Sequence, residues 1–97
     1  MTIAEFGRTV EGAAPPAGIS APLRALWLDA KGDWGGAHQA AQDDGSAAGA
    51  WVHAYLHRKE GDIGNAGYWY RRAGRPPAAG PVEAEWTSIA GELLAHG

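Results

Sequence analysis

The chain has 97 residues, a net charge of −3 and no cysteine. That length fits one domain near the lower end of the usual range, and the missing Cys excludes a disulfide framework, a thiolate metal site and a thiol nucleophile. Acids and bases are interspersed, which argues against a nucleic-acid or anionic-membrane surface, since both call for a basic stripe.

Residues 1–19 hold Gly7, Gly12, Pro15, Pro16 and Gly18. They read as an arm, partly extended or disordered, with a short helical turn near Ile3–Phe6. The arm carries Glu5 and has no basic start followed by an apolar run, so it does not read as a secretory signal. No apolar stretch approaches the roughly 20 residues of a membrane span. A cytoplasmic protein is expected.

Residues 20–97 read as a single helical domain. Ser20 is an N-cap, Pro22 sits in the first turn, and Leu23, Leu26 and Trp27 give helical spacing to about Lys31. Gly32-Asp33 stops that helix and caps the next, from Trp34 to about Gln42. Asp43-Asp44-Gly45 is a turn, and Ser46 caps a helix over about Ala47–Glu60. Gly61-Asp62 repeats the stop-and-cap device before a helix from about Ile63 to Ala73. A Pro/Gly linker follows. Pro81 then opens a last helix to about Ala95, with Glu83 and Glu85 at the positive end of its dipole. Its apolar stripe is Val82, Trp86, Ile89, Ala90 and Leu93. The fold class is therefore all-α. About five helices form two stacked antiparallel hairpins, and the C-terminal helix caps the second.

An internal repeat supports this reading. Gly32-Asp33 pairs with Gly61-Asp62, and Ala37 with Ala66, at an offset of 29 residues. Each half is helix, Gly-Asp turn, helix, and such units must stack to bury their apolar faces. The second unit resembles a tetratricopeptide or Sel1-type repeat. Gly61-Asp62-Ile63, then Ala66, Tyr70 and Ala73, fit its turn and second helix, and Tyr68-Trp69-Tyr70-Arg71-Arg72-Ala73-Gly74 is like the end of a Sel1-type repeat. The resemblance covers about Leu23–Gly74. It departs from the pattern at His57, where the family has an aromatic, and in the offset, which is shorter than the usual 34 or so. The wider chain, notably residues 51–74, also resembles a group of small uncharacterised microbial proteins sharing this hairpin. The repeat resemblance implies a helical module that holds peptides or partner proteins.

Two sets of residues carry chemistry. Trp51, Tyr55 and Arg58 share a face at i, i+4, i+7. With Tyr68 and Trp69 they would line a groove for a peptide or small ligand, because aromatics bring area at low entropy cost and Arg brings directed donors. His53 and His57 lie one helical turn apart, a spacing that can present two imidazoles to one metal. Glu60 continues that face, and His38 sits one helix earlier. No Glu follows His53, so the zinc-protease pattern is absent. The favoured expectation is a non-enzymatic interaction module without a cofactor, binding a protein or peptide and pairing with a second copy. The rival is a metal-dependent or histidine-based enzyme or sensor, holding a divalent ion such as zinc on His53, His57 and His38 or Glu60.

Overall fold

The structure is a computed structural model, and it describes residues 1–96. Those residues form six helices and no strand: α1 (Ile3–Thr9), α2 (Ala21–Ala30), α3 (Trp34–Asp43), α4 (Ala47–Lys59), α5 (Ile63–Ala73) and α6 (Val82–His96). Among them, no helix is long and apolar enough to cross a membrane.

Local chemistry sets the boundaries. The side chains of Ser20, Asp33, Ser46 and Asp62 each accept a backbone N–H in the first turn of the helix they cap. The two Gly-Asp turns are built alike. Gly32 and Gly61 take φ of +89° and +85°. Asp33 donates its N–H to Leu28 O, and Gly32 to Asp29 O, each at 2.9 Å. Asp62 and Gly61 repeat this to His57 O and Arg58 O, at 2.9 and 3.0 Å. This double closure satisfies carbonyls that a helix end otherwise leaves open, and it needs a left-handed residue. The repeat in the sequence is thus a repeat in backbone geometry.

The hairpins α2–α3 and α4–α5 pack side by side through α3 and α4. Small buried residues, Ala37, Ala41, Ala54 and Ala66, let these helices approach closely. Leu26, Val52, Leu56 and Ile89 fill the core at 0% exposure.

Two features differ from the sequence expectation. The helices number six rather than about five, because α1 is a capped helix. Thr2 and Glu5 exchange hydrogen bonds in a capping box, and Phe6 is wholly buried, stacked on Trp86 with centroids 5.7 Å apart. The second difference is the seat of α6. It lies across α2 and α4, the first helices of both hairpins, and α1 packs on it. The expected cover over the second hairpin alone is therefore replaced by a helix seated on one helix of each hairpin. Trp86 fixes it there by donating its indole N–H to Leu26 O (2.9 Å).

Glu85 explains part of that choice. It is 7% exposed, and its carboxylate accepts from Arg58 Nη1 at 3.0 Å and from the Tyr70 hydroxyl. A buried carboxylate needs such partners. Glu85 therefore joins α6 to α4 and α5 rather than serving only the helix dipole.

Candidate metal centre

Three imidazoles meet where α3 crosses α4. His38 comes from the middle of α3, and His53 and His57 from successive turns of α4. Each offers a ring nitrogen, and these nitrogens lie within 4.8 Å of one another. His38 Nε2 and His53 Nε2 are 2.9 Å apart, so one must donate to the other. The rings of His53 and His57 stack at 4.8 Å, and His38 stands edge-on to both.

Two tryptophans wall the cluster. Trp69 of α5 stacks on His53 at 3.9 Å, and Trp34 of α3 stacks on His38 at 4.9 Å. Trp34 is held by its own indole N–H, which donates to Leu56 O across the hairpins (3.1 Å). His53 is 3% exposed, whereas His38 and His57 are half-buried, so the cluster has a closed floor and a partly open mouth.

This setting favours the neutral form of His53 and His57. Burial, then the facing His38 and His57, pull the His53 pKa from 6.5 to about 4. Burial also lowers His57, with His38 adding to it and Asp62 and Glu60 partly opposing. Neutral imidazole is the ligand form, so few protons need displacing at neutral pH. The Nδ1 of His53 is buried without a hydrogen-bond partner. The one polar contact of that ring is thus the shared Nε2 pair.

Of the metal-ligand candidates, the structure brings together His38, His53 and His57. Glu60 lies outside the cluster, as the exposed C-cap of α4. The aromatic set is dispersed. Tyr55 is 2% exposed, and its hydroxyl donates to Asp29 Oδ2 at 2.6 Å. Arg58 is paired with Glu85 and also donates to Gly80 O. Trp51 is 8% exposed beneath the Arg75 guanidinium, 3.9 Å from its ring centroid. The face they share is closed over by residues 75–85 and α6. Tyr68 stays exposed on α5, with Arg72 lying over both Tyr68 and Trp69.

Sequence reasoning missed Asp29. It is 4% exposed and accepts from Tyr55 and from Lys59 Nζ (2.8 Å). A signal was present in the repeat itself. Asp29 aligns with Arg58 at the 29-residue offset, so both sit one turn before the Gly-Asp stop, and both anchor buried tyrosine networks.

No family model, curated protein or solved structure matches the chain.

Proposed function

We propose that the protein binds a divalent transition metal of the zinc class through His38, His53 and His57. The observation that carries this reading is the convergence of three imidazoles from two helices within 4.8 Å. Zn–N bonds of about 2.0–2.1 Å in a tetrahedron place ligand nitrogens about 3.3 Å apart. The 2.9 Å pair would open by a few tenths, and the third ring would close by up to roughly 1.5 Å. Side-chain rotation of the half-buried rings supplies such movements.

Among the described residues the cluster holds three ligands, so a tetrahedral ion would leave one position for water or an external ligand. Three protein ligands with an exchangeable fourth is the pattern of catalytic rather than structural zinc sites. Bound there, the ion would supply Lewis acidity and acidify its water. The chain's contribution is to bring the three rings together, to favour neutral His53 and His57, and to shield the cluster with Trp34 and Trp69. In the same reading, the two hairpins stack as a tetratricopeptide-like pair, which the matched Gly-Asp turns support. Their role is then to present α3 and α4 at a fixed crossing.

The test is calorimetric titration of chelator-treated protein with Zn²⁺, paralleled by Co²⁺ absorption. One ion per chain and tetrahedral cobalt bands are expected. His38→Ala and His57→Ala should each weaken binding by more than the ~10–100-fold typical of losing an outer-shell partner. Failure of the parent protein to bind either ion below about 10 µM would overturn the reading, because sites of this kind bind far more tightly.

A second reading has one observation of its own. Tyr68 is 45% exposed, and Arg72 shelves both Tyr68 and Trp69. An exposed aromatic with an arginine is the composition of a contact hot spot. It would make this face of α5 a site for a protein partner or a second copy. Concentration-dependent sedimentation that Tyr68→Ala abolishes would support it, and a monomer at all concentrations would remove the second copy.

A further inference from the structure

A separate cleft of about 320 Å³ opens between α1, α2, α4 and α6. That volume lies at the small end of ligand sites, about 300–1,000 Å³. Val10, Val82 and Trp86 give it apolar walls, and Gly7 of α1 forms part of its rim. Its polar groups are Asp29, Tyr55 and Lys59 on one side, and Glu83 and Thr87 on the other.

The hydrogen-bond inventory of these groups is lopsided. The Tyr55 hydroxyl is spent on Asp29, the Thr87 hydroxyl on Glu83 O, and the Trp86 indole N–H on Leu26 O. The Lys59 ammonium is drawn to Asp29 Oδ1 at 2.8 Å. Acceptors remain open instead. Each oxygen of Asp29 takes one hydrogen bond and can take another. The Glu83 carboxylate forms no ion pair among the described residues. Two carboxylates face one ammonium, so the lining carries a net negative charge. Trp86 adds a ring face that favours a cation.

We propose that this cleft binds a small organic ammonium ion, a donor-rich cationic head on an aromatic or aliphatic body. The body packs on Val10, Val82 and Trp86. The head donates to Glu83 and the free acceptor positions of Asp29. The proposal does not depend on the metal centre, which lies at the crossing of α3 and α4.

The probe is phenethylammonium, titrated into the full chain while the Trp86 indole N–H is followed by NMR. 3-Phenylpropionate serves as the control of similar size and opposite charge. Saturable shifts with the ammonium and at least about tenfold weaker binding of the carboxylate are expected, a preference that opposite charges at close range support. Glu83→Gln should weaken the ammonium by about two- to fivefold, as for loss of one exposed ion contact. Gly7→Leu is the blocking variant. Gly7 lines the cleft, and a Cβ there meets nothing within 4 Å, so a bulky side chain can be added at the cleft wall without a backbone clash. It also replaces a helical glycine, which favours the helix, and helix content checks that the fold is kept. Binding that vanishes in Gly7→Leu, with unchanged helix content, supports the site. No saturable shift with phenethylammonium, equal binding of the carboxylate, or undiminished binding to Gly7→Leu would each overturn it.

Discussion

Acidification of the metal-free protein should destabilise it over a pH window set by His53. In the unfolded chain this imidazole takes up a proton near 6.5, and in the fold only near 4, because it is buried against Trp69 and faces two other imidazoles. Between those values the unfolded state binds more protons. Stability therefore falls as pH drops below about 6.5, and the loss levels off near the folded pKa. From these two values, lowering the pH from about 7.5 to 5.0 costs about 2 kcal/mol from His53 alone. His57 is shifted in the same direction and adds to the loss. Glu5 does not confuse the window, since its hydrogen bonds to Thr2 hold its carboxyl low. The assay is urea denaturation followed by tryptophan fluorescence at half-unit pH steps, beside a His53→Phe variant. That variant keeps an aromatic against Trp69 and removes the titrating group and its orphaned Nδ1. The parent should lose about 2 kcal/mol or more over this range and the variant distinctly less. A parent whose stability changes by under about half a kcal/mol, or a variant with the same slope, would refute the argument that His53 is held neutral by its surroundings.

Other outcomes follow from the packing. Phe6→Ala should cost about 3–5 kcal/mol and free α1, read as lower urea resistance and rapid amide exchange over residues 3–9. Asp29→Ala leaves the buried Tyr55 hydroxyl without its acceptor, at a cost of about 1–3 kcal/mol. Adding Tyr55→Phe should recover part of that loss, so a double-mutant cycle by chemical denaturation should show clear coupling. Gly61→Ala forces an L side chain into a left-handed turn and should lower stability by about 1–2 kcal/mol in the same assay.

Much of the fold is written in local chemistry. Ser20, Asp33, Ser46 and Asp62 are caps that can be recognised by residue type alone, and the glycines at 32 and 61 mark both inter-helix turns. Helix α1 was harder to see. Its Gly7 and the Gly/Pro residues after it mask a helix anchored by distant contacts with α6, Phe6 on Trp86 and Ile3 beside Gly91. The Thr2–Glu5 capping box was the available local signal.

The histidines were legible in part. The i, i+4 pair is a property of α4, but the arrival of His38 depends on how α3 crosses it, which helical periodicity does not encode. Periodicity also placed Trp51, Tyr55 and Arg58 on one face, as they are. What it lacked was the destination of that face. A groove open to solvent and one filled by the chain's own helix have the same apolar spacing. They differ through Glu85, whose burial with Arg58 and Tyr70 joins α6 to the hairpins. A carboxylate near a helix start looks the same in sequence whether it faces water or a buried guanidinium.

The seat of α1 also has a kinetic meaning. Its helix-to-helix packing is with α6, the last of the six described helices. During synthesis α2 to α5 can pair with near neighbours as they emerge, through contacts of low sequence separation. Helix α1 has no docking surface until some eighty residues later, when Trp86 arrives to receive Phe6. A nascent chain would hold its hairpins assembled while α1 waits, and the joining of α1 to α6 would follow hairpin assembly.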